Sequence, residues 1–318
     1  MSIEDVEAGF TSLGAEDVSA FETMSHVVQA YQREHCPAYA RFGLDYLPVA
    51  AFKHVSLTTF VPDQAERVFK SSGTGRTKQS VHYVRCLKVY ERAVCTHFER
   101  AIGCGPFVLL AHLPGYMQHR EQSSLICMLD ILIRKYGTDG SGFFLNDPGL
   151  LARAITHSKA PILLFGSAFG LLNRAEENIW ALPPGARIIE TGGVKTYRQE
   201  ISRGDLHAKL AAGFKIPERN VLSEYGMCEL LSQAYTRGGL EFYPPPWMRV
   251  HVMDPDRPER PVPEGTLGVL AFFDLANLYT VSGLLTEDLG VQRGAGFEVV
   301  GRLSGSALRG CNFLLETK

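Results

Sequence analysis

Phe69-Lys70-Ser71-Ser72-Gly73-Thr74-Gly75-Arg76-Thr77-Lys78 packs four hydroxyls and two glycines into one short run that closes on two cations. Such a mixture suits a polyphosphate. Glycine lets successive backbone N–H groups turn inward and approach a ligand closely. The hydroxyls of Ser71, Ser72, Thr74 and Thr77 donate to phosphate oxygens, and Arg76 and Lys78 place charge where phosphates sit. The run is not a Walker A loop, because it lacks the Gly-Lys-Ser/Thr ending, and it lacks the Gly-x-Gly-x-x-Gly spacing of a dinucleotide fold. A solvated Gly/Ser turn carrying surface cations is the plain alternative.

Outward from this loop the chain alternates. Upstream, residues 1–40 read as helical, with one long segment from Asp17 through Tyr31, followed by strand-like Val55–Phe60 and by Val68-Phe69 as a strand end feeding the loop. Downstream, Ser80–Ala101 has helical spacing. Phe107–Ala111, Pro161–Gly166, Arg187–Gly193 and Asn220–Gly226 read as buried strands, with helical patterns such as Ser123–Tyr136 between them. This alternation predicts an α/β fold with a largely parallel, doubly wound sheet and ligands at the carboxyl ends of its strands. From Leu240 the texture changes. Pro244-Pro245-Pro246 breaks the pattern, and Arg249–Met253 and Gly268–Phe273 read as strands around a turn at Pro263-Glu264-Gly265, giving a β-rich last part.

The composition is that of an ordinary globular protein: 318 residues, 45% hydrophobic, 21% charged, net charge -2. That balance argues against a general nucleic-acid binder. No apolar run reaches the roughly 18 residues of a membrane span, and the acidic start Met1-Ser2-Ile3-Glu4-Asp5 lacks a signal segment, so the expectation is a cytoplasmic protein. The seven cysteines, with no C-x-x-C pair, argue against a disulfide framework or zinc site.

Four separated segments end in residues suited to one nucleotide: the loop 70–78; Glu190-Thr191-Gly192-Gly193, whose glycines admit a flat base; Ser223-Glu224-Tyr225-Gly226-Met227-Cys228-Glu229; and Thr286-Glu287-Asp288-Leu289-Gly290. Together with Gly301-Arg302 these motifs resemble the adenylate-forming superfamily of acyl-CoA synthetases, adenylation domains and luciferases. Within it they look most like the luminescence acyl-protein synthetase (LuxE) branch. Leu47-Pro48-Val49, Phe52-Lys53, Leu113-Pro114-Gly115-Tyr116 and Arg309-Gly310-Cys311 carry that narrower likeness in the same order.

The resemblance implies ATP- and Mg²⁺-dependent activation of a carboxylic acid, fatty or aryl, to an acyl-adenylate, and transfer of the acyl group to a thiol. By it, Ser71, Ser72, Gly73, Thr74, Gly75, Thr77, Gly192, Gly193, Glu224, Tyr225, Gly226 and Asp288 bind the nucleotide. Tyr225 lies near the adenine and Asp288 holds the ribose. Glu229 ligates Mg²⁺, Lys78 and Arg302 act on the phosphates or ribose, and Cys311 accepts the acyl group. An acyl carrier protein, coenzyme A or a reductase is the alternative acceptor, and a non-catalytic nucleotide-binding homologue acting through a partner is the alternative function. The resemblance makes residues 1–318 one large domain, with approximate subdomains 1–160, 161–240 and a β-rich 241–318, and without the small mobile carboxy-terminal domain. Two departures stand out: the loop is one residue tighter than the usual pattern, and Cys228 replaces the usual Thr. Each residue also has a plain structural reading. Glu229 would be a helix-start acid, Asp288 a turn acid, Tyr225 a core aromatic, Arg302 a surface cation and Cys311 a small buried thiol.

Overall fold

The computed structural model describes residues 1–71, 78–114, 117–144, 148–192 and 201–303. Ser72, Gly73, Thr74, Gly75, Arg76, Thr77, Tyr116, Gly193 and Cys311 lie outside them. The amino-terminal part is helical, as expected: α1 (Ile3–Gly9), α2 (Val18–His35) and α3 (Pro37–Phe42). A short strand, β1 (Leu47–Pro48), follows. Next comes a hairpin of β2 (Arg67–Lys70) and β3 (Val81–Val84), which forms a small sheet of its own.

The central layer then winds through β4 (Val108–His112), β5 (Gly142–Phe143), β6 (Ile162–Ser167), β7 (Arg187–Thr191) and β8 (Val221–Tyr225). These pair in parallel in the order β5-β4-β6-β7-β8. The helices α4 (Leu87–Ala101), α5 (Ser124–Tyr136), α6 (Pro148–His157), α7 (Ala168–Glu176) and α8 (Arg203–Phe214) cover it. The two faces of the strands feed two cores. Leu109, Ala111, Leu163, Phe165, Ile189 and Leu222 pack with α4 and α5. Val108, Leu110, Ile162, Leu164, Ile188 and Val221 pack with residues of α6, α7 and α8. Burial on both faces is why these strands read as unbroken apolar runs.

The sheet continues antiparallel through β9 (Ala234–Thr236), β10 (Phe242–Tyr243), β11 (Met248–Met253), β12 (Leu267–Asp274), β13 (Gly283–Arg293) and β14 (Gly296–Arg302). Its order is β11-β12-β13-β14-β10-β9-β8, with β1 added in parallel to β13. The α/β class, the parallel sheet and the β-rich end are all present.

Two local expectations fail. Val55–Phe60 is not a strand. Its Thr58 hydroxyl bonds the nearby carbonyl of Phe60 (2.7 Å), and the Thr59 N–H and hydroxyl both go to the Tyr279 carbonyl, so the segment is held by caps in place of a ladder. Ser80–Ala101 is not one helix either. Val81–Val84 alternates half-buried and buried as β3, and α4 begins only at Leu87, whose N–H is taken by Glu66 (2.7 Å).

Helices α7 and α8 meet closely. A Cβ on Gly213 would stand 2.5 Å from the Ala175 carbonyl oxygen and 2.6 Å from its Cβ. Gly213→Ala gains about 1 kcal/mol of helix propensity but forces two backbones apart, at roughly 1–3 kcal/mol. We expect a net loss of about 1 kcal/mol or more in urea unfolding; a raised midpoint would refute this packing.

Candidate active site

The carboxyl ends of β7 and β8 lie side by side, with Glu190 opposite Ser223 and Thr191 opposite Glu224. Strand alternation sends these pairs to opposite faces. On one face the Thr191 hydroxyl donates to Glu224 Oε2. Glu224 is enclosed, and burial, with the nearby charge of Glu190 adding to it, pushes its carboxyl up to about 7 against the opposing hydrogen bond from Thr191. On the other face the Ser223 hydroxyl donates to Glu190 Oε1, and His207 Nε2 lies 2.9 Å from Ser223 Oγ. Arg203 Nε and His207 Nε2 each approach Glu190 Oε1 to 3.6 Å. Because Ser223 gives its proton to Glu190 and not to the histidine, this is a buried polar clamp joining β7, β8 and α8, not a nucleophile–base pair.

Beyond Glu224 the next residue crosses to the other face. The Tyr225 ring packs among Phe242, Phe272 and Phe297, with ring centres 5.4–5.8 Å away. Its hydroxyl donates to Asp288 Oδ2 (2.9 Å). Asp288 stands opposite Arg302 across β13 and β14, and Arg302 Nε donates to Asp288 Oδ1 (2.9 Å). The Thr286 hydroxyl accepts from the Asp288 N–H (3.0 Å) and donates to the Leu270 carbonyl (2.8 Å). Three motifs far apart in sequence thus converge on one carboxylate, which is nearly buried while Arg302 stays open to solvent.

Gly226 must lack a side chain, since a Cβ there would lie 2.5 Å from Glu224 Oε1. The turn after it carries Glu229 and is fixed from several sides. His82 Nδ1 donates to the Cys228 carbonyl (2.7 Å) while its Nε2 faces the Thr280 hydroxyl (3.1 Å), and burial holds this histidine neutral, down to about 4. Asn277 Nδ2 donates to the Glu229 carbonyl (2.8 Å), and its Oδ1 accepts from the Leu231 N–H (3.0 Å). Ser232 bonds Asp274 through both N–H (2.9 Å) and hydroxyl (2.8 Å).

His82 belongs to β3, so the same contact ties the Glu229 turn to the stem of the Gly/Ser loop. At the mouth of that stem the Ser80 N–H donates to Ser71 Oγ (3.0 Å) and Gln79 to the Ser71 carbonyl (2.8 Å); Lys78 is exposed. Gly192 follows β7 with φ 95°, a left-handed conformation that favours glycine. Of the predicted residues the structure therefore groups Gly192, Glu224, Tyr225, Gly226, Asp288 and Arg302 at adjoining strand ends, and links Glu229 to the stem bearing Ser71 and Lys78. Sequence reasoning did not single out His82, Asn277, His207 or Arg203. Each lies in an unremarkable helix, strand or turn, and only its place in the fold reveals it.

The family model described as "Acyl-protein synthetase, LuxE" matches residues 151–318. The chain belongs to the LuxE acyl-protein synthetase family. Over 302 aligned residues it is 27% identical to the long-chain-fatty-acid–luciferin-component ligase of Aliivibrio fischeri, covering 83% of this chain and 75% of that protein. The fold matches solved ligases at low identity. An open 2-hydroxyisobutyryl-CoA ligase in complex with 2-HIB-AMP and CoA gives a TM-score of 0.64 at 14% identity, over 90% of this chain and 69% of that one. ATP-bound MatB from Rhodopseudomonas palustris gives 0.53 at 16% identity, over 77% of this chain. The LuxE-family chain spans about half the length of the MatB structure, 49%. Its architecture is that of the large domain of adenylate-forming enzymes, and by family it is an acyl-protein synthetase, a ligase. No helix among the described residues is long and apolar enough to cross a membrane.

The enclosed Glu224 has a thermodynamic signature. Its folded-state carboxyl, at about 7, binds a proton that the unfolded chain releases near pH 4.5, so this residue's contribution to stability falls as pH rises through that window and is level above it. Glu224→Gln keeps the acceptor for Thr191 but removes the titration. Relative to wild type the variant gains, on the order of 3 kcal/mol, between pH 4.5 and 7.5 in urea unfolding. A pH-independent difference would show that Glu224 is not held protonated.

Proposed function

We propose that this LuxE-family protein activates a carboxylic acid with ATP, forming an acyl-adenylate and releasing pyrophosphate, and then passes the acyl group to a thiol with release of AMP. The observation that carries this reading is the Asp288 carboxylate gripped by Tyr225 and Arg302 beside the ends of β7 and β8. A carboxylate so held keeps a fixed orientation toward solvent and accepts from vicinal hydroxyls, as a ribose presents them. The relatives support the nucleotide, since the solved structures it resembles carry ATP or an acyl-AMP.

In this reading, Asp288 binds the ribose, Tyr225 and Arg302 position Asp288, and the Tyr225 ring serves as a packed core wedge. Ser71 and Lys78 flank the phosphates with Ser72, Gly73, Thr74, Gly75, Arg76 and Thr77, and Gly192 and Gly193 leave room for the base. Among the described residues no three His, Cys, Asp or Glu side chains form a metal-binding group. With Glu224 protonated up to near neutral pH, Glu229 is the carboxylate left in the turn. That donor set fits Mg²⁺, which binds through one or two carboxylates plus substrate phosphates and water. Once bound, the ion would supply charge neutralisation to the phosphates.

For the acceptor, thiol chemistry favours Cys311. A nucleophilic cysteine needs thiolate character. Burial pushes the Cys36, Cys95, Cys127 and Cys228 thiols up, Cys127 to about 11, which argues against all four. Exposed Cys104 precedes β4, at the sheet edge opposite the strand ends of the site. The fatty acid of the Aliivibrio relative makes a long-chain acid the first substrate to try.

ATP–pyrophosphate exchange with a panel of fatty and aryl acids tests the adenylation step; no exchange with any acid sinks it. Tyr225→Phe keeps the ring but frees Asp288 from one charge-assisted hydrogen bond, so kcat/KM for ATP should fall about 10- to 100-fold with unfolding unchanged. Cys311→Ser should abolish the covalent acyl-protein seen by mass spectrometry while exchange persists; an acyl adduct retained on the variant would move the acceptor elsewhere.

A further inference from the structure

The hairpin of β13 and β14 has two ends. Asp288 and Arg302 pair at one; the turn at Gly294–Gly296 closes the other. Against that far turn lies a cavity of about 390 Å³, walled by Pro244, Pro245 and Pro246 and by the end of α4. This volume is within the range of small-ligand pockets.

Its charge is one-sided. Arg100, Arg237 and Arg249 line it, and among the described residues none of the three forms an ion pair with a carboxylate. Arg100 donates instead to the carbonyls of Leu13 (3.0 Å) and Thr11 (3.2 Å), and Arg249 to that of Pro246 (3.1 Å). The Arg237 guanidinium lies over the Tyr243 ring at 4.1 Å. These contacts fix the guanidiniums without neutralising them.

The cavity also has a built polar floor. His97 and Tyr235 line it, both more than nine-tenths buried, with ring centres 5.4 Å apart. His97 Nε2 donates to the Tyr243 carbonyl (3.2 Å), but Nδ1 has no partner, and neither does the Tyr235 hydroxyl. Burial, with Arg100 and Arg237 contributing, holds His97 down to about 3, so Nδ1 is a bare acceptor. Buried polar atoms are nearly always satisfied. Two open positions at the bottom of an apolar-walled, cationic cavity therefore describe a ligand: negative charge for the arginines, an acceptor for the Tyr235 hydroxyl and a donor for His97 Nδ1.

We propose that this cavity is a second ligand site, for a small organic anion in which a phosphate or carboxylate sits next to a hydroxyl. It stands apart from the adenylation site and does not depend on that assignment.

Calorimetric titration of the full chain with glycerol 3-phosphate in one arm and lactate in the other tests it and separates the two anion classes. At least one should bind saturably at one per chain, undisturbed by saturating ATP. Arg237→Gln, a change at an exposed position, should weaken binding about tenfold, and Tyr235→Phe several-fold. Asp288→Asn should leave it intact even where it removes nucleotide binding. The proposal fails if neither anion binds below about 10 mM, if Arg237→Gln and Tyr235→Phe both leave binding unchanged, or if ATP displaces the anion.

Discussion

The turn between β8 and β9 has nowhere to go. Its carbonyls at Cys228 and Glu229 accept from buried His82 and Asn277, and its Ser232 is gripped by Asp274, itself buried and pushed up to about 6 by that burial. Trp247 adds its indole N–H to Ser232 Oγ (2.9 Å). An unpaired buried carbonyl or amide costs about 1–3 kcal/mol, so the arrangement is close to all-or-none. The donors come from the small hairpin, from the β12–β13 connection and from the start of β11, and the turn is where these parts of the chain are registered against the parallel sheet.

From that anchor the rest of the site follows. The parallel strands bring β7 and β8 to one edge, and alternation divides their polar ends between two faces. One face holds Thr191 and Glu224. The other holds the Glu190, Ser223 and His207 clamp and the aromatic cluster in which Tyr225 is embedded. Because the Tyr225 ring cannot tilt among three phenylalanines, its hydroxyl is a stiff support for Asp288. Arg302 reaches the same carboxylate from solvent, where screening makes it an aid to orientation more than to stability.

Much of this could be read from the residues, and the reasons are physical. Runs such as Ile162–Phe165 are apolar without alternation, which only a strand covered on both faces requires. Glycines at 192 and 226 and the acids at 224, 229 and 288 flank strand ends, where an α/β sheet binds ligands. The β2–β3 hairpin was hidden because Ser80–Ala101 has helical spacing over most of its length, and four alternating residues are too few to override it. His82, Asn277 and His207 were illegible for another reason: their partners are remote in sequence, 146 residues away for the His82–Cys228 bond, and no periodicity records such a pairing. Tyr225 sat between two readings, ring against base or ring in core. The geometry gives the ring to the core and the hydroxyl to Asp288.

The approach of α7 to α8 carries a last consequence, for descent. Gly213 and Ala175 touch backbone to backbone, so neither position has a free neighbour in sequence space. Enlarging one requires the helices to separate, and the effects of paired changes there are not additive. Lineages of this protein should therefore hold both sites small or change them jointly, leaving a correlated footprint beneath the sheet where no substrate ever reaches.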